Sequence, residues 1–583
     1  MADAPSSRSW HLRRWLIVAL VVGYVVHVVW RLWLLRGMIT PAAHADEDGY
    51  LLAARALAGG AGGYSTENTL FRRVGYPMML APIYWFTSDA FQVYRVTQVL
   101  NAVINAALYP LAYLFARRVF ALPRSWALGG AFAVTAMPAV AFYSQFAMAD
   151  AILATLGMAW LLLIHSTLAA STRATQLLTA AGAGALAGLI YIVHIRGIMV
   201  ALAHVLVAGA FLALRRISWR RAGALVGTMV LVACLDPILK YSLHDKIMVE
   251  GNDPGGKAIS AVTTLHGLAL TAVRLLGQLW YLAIGTWGLG VVGLAALLVA
   301  LWPLRPARDL WQRLREPVAG TRLLLMLTAL VSTILVGFAS SASLPTWDHR
   351  INYYAYPRYI HFLFPVWVLA GLTALLGASA RQVRLLAIAA GVLTAGSAAV
   401  TYAGIHRSTA YRFLPFDSPE TSFLAWDWGA IQVAVPTVLG VLLLAIMLWG
   451  LPRRRVAVAV LAGVTLLNLA VVTRSHDTIV TPMVVDQYCC GTPRLERDAG
   501  LGPGDTVAVS TDTGWYVRYN HMREVWWSRV ILFDSDSEPA PDEANVVVVP
   551  HASPTPESDW APEPGFELVV VDDHHYWAVW RRS

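Results

Sequence analysis

Charge is scarce in this chain. Only 14% of its 583 residues are Asp, Glu, Lys or Arg, while 57% are hydrophobic and the mean hydropathy is +0.56. A water-soluble chain of this length needs far more charge to cover its surface, so the composition excludes an ordinary soluble protein and indicates a polytopic membrane protein. Cysteine is nearly absent: Cys234 lies in an apolar run and Cys489-Cys490 stand side by side, too few for a disulfide framework. The neighbouring pair is open to an adjacent-residue disulfide or to two free thiols. No internal repeat stands out, and a transporter built from paired halves should have one. The first apolar run, 15–35, has a signal peptide's polarity but is a full bilayer span without a small-residue cleavage site, so it is expected to remain as a helix.

What the chain does have is apolar runs of bilayer length and arginines sorted between them. About 13 spans are expected, at roughly 20 apolar residues each: 15–35, 92–116, 126–142, 149–168, 175–193, 197–214, 222–239, 276–301, 323–340, 359–378, 385–403, 430–450 and 456–473. Alternate loops carry Arg117, Arg118 and Arg124; Arg173; Arg215, Arg216, Arg220 and Arg221; Arg305 to Arg322; Arg381 and Arg384; and Arg453 to Arg455. These fall on the side of the N-terminal tail, which carries Arg8, Arg13 and Arg14, so the positive-inside rule puts tail and loops in the cytoplasm. The net charge of +9 is explained by this sorting and needs no nucleic-acid partner. The 23 Trp and 22 Tyr suit interfacial belts.

An odd number of spans puts the C-terminal part on the far side. Residues 1–473 are expected to form an all-α membrane domain and 474–583 a small soluble α/β domain outside the cell membrane. Runs 506–510, 525–533, 546–549, 568–571 and 576–580 read as its strands. Asp572-Asp573-His574-His575 could be a metal site, but between two terminal strands it reads as a hairpin turn.

The polar chemistry gathers on the same far side. Directly after the first span comes His44-Ala45-Asp46-Glu47-Asp48-Gly49-Tyr50-Leu51, with Tyr50, Leu51, Leu52 and Leu57 spaced as an interfacial helix. Three consecutive carboxylates beside a bilayer are costly to hold without a counter-charge or a task; the plain alternative is a solvated loop. Asp150 sits at the far mouth of the fourth span, where an ionisable group is functional by default or else an N-cap. Arg196 and Arg358 hold matching places at helix mouths, where a guanidinium fork suits phosphate. Arg72, Arg73 and Arg350 are looser candidates, equally readable as interfacial anchors, and His194, His349 and His361 read more readily as satisfied polar residues than as ligands. Arg95, Gln98, Asn101 and Asn105 fall at helical spacing and give one inward polar face, either a lining for a lipid-phosphate groove or, as favoured here, glue between helices.

A short tail, one helix and then Asp46-Glu47, Tyr50-Leu51, Ala54, Leu57 and Gly60 resemble the polytopic C-type glycosyltransferases that use polyprenyl-phosphate sugars: protein O-mannosyltransferases, lipid A aminoarabinose transferases and actinobacterial arabinofuranosyltransferases. Arg73-Val74-Gly75-Tyr76-Pro77 is similar to the family's Pro-Gly-Tyr-Pro element, with Val74 where proline is usual. Ser144 to Asp150 looks like its second acidic position, and Tyr356-Pro357-Arg358-Tyr359 resembles its Arg-Tyr element. The resemblance covers the membrane part. It implies an inverting transfer of a sugar from a polyprenyl phosphate to an acceptor hydroxyl on a glycan, lipid or protein of the cell envelope.

By the family's motif the catalytic carboxylate falls on Asp46, with Asp150 second. Such a donor carries its own leaving group, so the chemistry needs a base for the acceptor proton and cations for the departing phosphate. Glu47 or Asp48 would position the acceptor, ligate a divalent metal or cap the following helix. Tyr50, Arg72, Arg73, His194, Arg196, Arg350, Arg358 and Tyr359 are the expected substrate-binding set. The competing reading is a transporter or flippase of lipid-linked saccharides, which should place ionisable groups near the bilayer midplane rather than at one rim.

Overall fold

The computed structural model describes the chain apart from residues 1–6, 43, 61–72, 248–253, 305–306, 346–348, 489–494, 503, 514–528, 554 and 561–563. Among the described residues, nine helices are long and apolar enough to cross a membrane, or up to eleven if each of two bent pairs is one span; three shorter apolar helices, Gly197–Ala213, His361–Leu375 and Ala434–Gly450, add to them. An all-α membrane body is therefore the architecture.

Two breaks in that body bear on the site. The run 126–142 bends by 57° between Arg124–Thr135 and Pro138–Gln145. Pro138 supplies no N–H and forces the residue before it out of the helical region; Met137 accordingly sits at φ −57°, ψ 141°. The bend turns Tyr143 and Ser144 inward, both buried. The second break divides the run 276–301, expected as one span, into Leu265–Ile284 and Leu289–Leu301. Trp287 and Gly288 take left-handed backbone (φ 56° and 86°), and the Trp287 indole donates to Asn468 Oδ1 at 2.6 Å. A Cβ on Gly288 would also lie 2.7 Å from Leu444. Hydropathy cannot register this break because the residues on both sides of it are apolar.

The polar face on Ala90–Ala106 is structural. Gln98 donates to the Gln145 carbonyl (3.1 Å), Asn101 to Phe146 (2.7 Å) and Asn105 to Ala151 (2.6 Å), so one helix ties down the backbone of 145–151. Arg95, expected on the same face, is exposed. Its place in the interior is taken by Arg31 of the first helix, fully buried, with two nitrogens on Asn105 Oδ1 (2.8 and 2.6 Å) and one on the Thr135 carbonyl (2.8 Å). A guanidinium in the membrane interior persists only when its protons are used in this way.

The last long helix runs Arg454–Ser475 and continues through a π-helical turn, His476–Val480, into Thr481–Tyr488, so helical structure extends past residue 473. Among the described residues five strands follow: β1 (Thr506–Ser510), β2 (Arg529–Phe533), β3 (Val546–Pro550), β4 (Phe566–Asp572) and β5 (Trp577–Arg582), in the order β2-β1-β3-β5-β4. β1 pairs parallel with β2 and β3, while β5 pairs antiparallel with β3 and β4. Val507 and Val509 pack on one face and Ala508 on the other, the period of two that a sheet covered on both sides requires. Asp572 to His575 form the turn between β4 and β5, and Asp572 Oδ1 accepts the His574 and His575 amides. Cys489 and Cys490 lie outside the described residues.

Candidate functional site

The first acidic stretch forms the start of a helix, His44–Leu57, whose Leu51, Leu52 and Ala54 join the main core. Its three carboxylates have different surroundings. Glu47 is fully buried and accepts from the Ala42 amide (2.9 Å), the Ala147 amide (2.6 Å) and the Tyr94 hydroxyl (2.9 Å). It thereby joins the first loop to the 145–151 segment. Asp48 is buried as well. Asp46 is half exposed and points the other way, to Arg358.

Arg358 stands on the turn Pro357–Tyr359, held in place by Pro357 and by the half-extended Tyr356 before it (φ −98°, ψ 87°). One terminal nitrogen meets Asp46 Oδ2 at 2.6 Å; the other meets Asp150 Oδ2 at 3.2 Å. Burial lowers the affinity of this guanidinium for its proton, but the Asp150 and Asp46 carboxylates outweigh it and leave Arg358 firmly charged. Asp150 opens the helix Asp150–Ala169, where the free N–H groups of the first turn favour an anion. Its other oxygen takes Arg196 Nη1 at 2.7 Å, and His194 Nε2 stands 4.0 Å away. Arg196 also donates to the Arg358 carbonyl at 3.1 Å, and its guanidinium lies 4.1 Å from the Tyr359 ring centroid. Gly197 lets the chain double back at this point: a Cβ there would lie 2.2 Å from the Ile190 carbonyl oxygen.

Two arginines and two aspartates thus form a chain, Asp46–Arg358–Asp150–Arg196, joining four segments that are far apart in sequence. Asp150 and both arginines are almost wholly covered, and Asp46 forms the open end. Among the described residues, Nε and Nη2 of Arg196 and Nε of Arg358 have no hydrogen-bond partner. Tyr143 and Phe416 hold their rings 5.8 and 5.7 Å from the Arg358 guanidinium. Tyr50 stands edge-on to Tyr76 at 5.1 Å; burial first, and then the Asp150 and Asp46 charges, push its hydroxyl pKa up, so it remains a hydrogen-bond donor.

The other expected cations have partners of their own. Arg73 binds Asp236 at 2.5 Å and lies 4.1 Å from the Tyr191 ring centroid. Arg350 pairs with the fully buried Asp417, whose charge raises the arginine's pKa against the effect of burial. Arg72 lies outside the described residues. Among those described, no group of three or more His, Cys, Asp or Glu side chains is placed to hold a metal ion.

Asp236, Asp417 and Glu420 escaped sequence reasoning. Glu420 is fully buried, with Oε2 accepting from the Tyr281 hydroxyl at 2.6 Å, and burial pushes its pKa from 4.5 up to about 7. A carboxyl with a raised folded-state pKa contributes stability fully below its unfolded value; that contribution is lost as pH rises through the folded value. A shift of this size corresponds to about 3 kcal/mol. Glu420→Gln should therefore flatten the pH dependence of stability between pH 5 and 8. Thermal unfolding in detergent at both pH values checks this; parallel profiles for variant and wild type would contradict it.

No family model matches the chain, and no curated protein matches it. Solved structures do. ArnT from Cupriavidus metallidurans bound to undecaprenyl phosphate is 17% identical, with a TM-score of 0.51 over 99% of this chain and 98% of that one. The chain has the fold of ArnT. The apo state of that ArnT gives 17% identity and a TM-score of 0.50, covering 98% of each chain. The Archaeoglobus fulgidus oligosaccharyltransferase is more distant, at 13% identity and a TM-score of 0.42 over 93% of this chain and 70% of that one. The ArnT likeness runs nearly end to end, so it takes in both the helical body and the terminal sheet.

Proposed function

We propose that the protein is an integral membrane glycosyltransferase that moves a sugar from a polyprenyl phosphate to an acceptor hydroxyl, with Asp46 as general base. The observation that carries this reading is the Asp46–Arg358–Asp150–Arg196 chain, which ends in a half-exposed carboxylate. The fold shared with an ArnT bound to undecaprenyl phosphate and the motif resemblance support it.

The ion pairs suggest how the residues work. Two cations balanced by two carboxylates leave no net charge for a phosphate, so the donor must compete for the arginines. Its phosphate takes up the unused Arg196 donors and draws Arg358 away from Asp46, while Asp150 keeps both guanidinium groups in register. Asp46 is then free to accept the acceptor's proton. The acceptor oxygen bonds to the anomeric carbon as the bond from that carbon to the phosphate oxygen breaks. The electron pair leaves on polyprenyl phosphate, whose charge Arg196 and Arg358 stabilise. Attack opposite the leaving group inverts the anomeric centre. Glu47 is assigned to bracing the loop that presents Asp46, and Arg73 and Arg350 to holding neighbouring loops to Asp236 and Asp417.

The donor is found by offering the purified protein a panel of polyprenyl-phosphate pentoses and hexoses and measuring release of polyprenyl phosphate by mass spectrometry. One donor should be cleaved in an acceptor-dependent way. Cleavage of none, by protein that binds the donors, would overturn the reading.

The site is assigned to the extracytoplasmic face, opposite the arginine-bearing loops. With Cys489 and Cys490 replaced by Ser, Ser218→Cys should resist a membrane-impermeant thiol reagent in intact cells, whereas Gly255→Cys should react. Both positions are exposed in the fold. Labelling at position 218 from outside would reverse the assignment.

A further inference from the structure

A second feature lies away from the acid–arginine chain. Helices Arg124–Thr135 and Arg454–Ser475 begin at the same end of the body, and the Asn468 side chain on the second donates to the Ala133 carbonyl on the first at 3.0 Å. From that tie towards their first turns they leave a groove of about 500 Å³ between them. Trp126 and Phe132 form one wall, Leu461 and Ala462 the other, with Ser125 and Arg454 at the mouth. Gly129 keeps the seam narrow but open, since a Cβ there would lie 2.9 Å from Leu461 Cδ2.

The charge at the mouth has one sign. Arg124, Arg453, Arg454 and Arg455 are exposed there, and neither helix has an acidic residue in its first turn. Arginines clustered at the starts of two helices oppose both their own charges and the helix dipoles, an arrangement that an anion relieves. An apolar slot a few turns long beneath a cationic mouth matches an acyl chain attached to an anionic headgroup.

The geometry points to a bound anionic diacyl phospholipid, its phosphate at Arg454 and Ser125 and one acyl chain along Trp126, Phe132 and Leu461. The polyprenyl donor has similar chemistry, but Ser125 to Thr135 alone rises about 15 Å at 1.5 Å per residue, and the chain then runs on through the 57° bend before it reaches Tyr143, beneath Arg358. The groove therefore opens too far from Arg358 to present a phosphate to it. The assignment is independent of the proposed transfer reaction. Its occupant fills the seam and fixes the angle between the two helices, as a structural lipid does.

Native mass spectrometry of the full chain in mild detergent, with added phosphatidylglycerol or phosphatidylcholine, tests the assignment. The wild type should retain one phosphatidylglycerol and no phosphatidylcholine, and millimolar inorganic phosphate should not displace the lipid. Arg454→Gln should lower retention about fivefold, the effect of one cation near a lipid headgroup. Ala462→Phe, which fills the slot and leaves the charges in place, should abolish retention. If Ala462→Phe fails to fold, Arg454→Gln decides alone. Equal retention of both lipids, or unchanged retention in Arg454→Gln, overturns the assignment. So does displacement of the lipid by inorganic phosphate. Displacement by undecaprenyl phosphate would overturn it too, and give the groove to the donor's tail.

Discussion

Asp46→Asn should bind the donor and fail to turn it over. The substitution is nearly isosteric and the side chain is half exposed, so packing and membrane insertion should survive. Loss of a general base costs about two to four orders of magnitude in rate. The amide still accepts a hydrogen bond from Arg358, but it relinquishes a charge that competed with the donor phosphate, so donor affinity should stay level or rise. A fall in turnover with unchanged or tighter donor binding separates loss of a base from loss of a folded site. Wild-type turnover in well-folded Asp46→Asn would remove this residue from the mechanism. Abolition of turnover by Asp150→Asn would then transfer the role to the second aspartate.

The second large effect is expected at the arginines, with the opposite pattern. Arg358→Ala leaves Asp46 and Asp150 without the cation between them and removes one of the two proposed phosphate ligands. Donor binding should weaken by at least about tenfold, since a charge-assisted hydrogen bond contributes about 1.5–3 kcal/mol. Arg196→Lys keeps the charge but has one ammonium in place of a fork. It cannot hold Asp150 while offering further donors to phosphate, so both affinity and turnover should fall. Titration of donor into detergent-solubilised variants, followed by calorimetry, measures this. If Arg196→Ala and Arg358→Ala both bind donor as the wild type does, the phosphate is held elsewhere, with Arg72, Arg73 and Arg350 the remaining candidates.

Much of the membrane architecture could be read from the sequence because each span is a local feature, a run of apolar residues of fixed length. The five strands were legible for the same reason: a β-rich run bounded by turn residues is written within a few residues, and β1, β3 and the turn at Asp572 to His575 fall where those runs placed them. Asp46 was picked out by its acidic run and the family's motif, and Asp150, Arg196 and Arg358 as charges at helix mouths; the structure brings all four into one ion-paired chain. The pairings were not legible. Arg73 finds Asp236 across 163 residues, Arg350 finds Asp417 across 67, and Tyr281 finds Glu420 across 139. No periodicity encodes such contacts. Nothing in the sequence marks Glu420 and Asp417, because burial, which gives them their character, is set by the folded body rather than by their neighbours. Glu47 is the converse case. As one of three consecutive carboxylates it was expected to position the acceptor, ligate a metal or cap the helix, whereas its hydrogen bonds to Ala42, Ala147 and Tyr94 support a bracing role.

Transfer and transport make opposite demands on one experiment. The protein is reconstituted into proteoliposomes with its polyprenyl-phosphate sugar labelled in both sugar and lipid, and an acceptor is supplied on the face that carries Asp46. Transfer by the proposed mechanism requires the sugar label to appear on the acceptor with inverted anomeric configuration while the lipid label remains in the bilayer as polyprenyl phosphate. Asp46→Asn should abolish this separation of labels. Movement of the intact donor across the bilayer, with both labels together and no acceptor product, would contradict the account and make the protein a carrier of lipid-linked sugar.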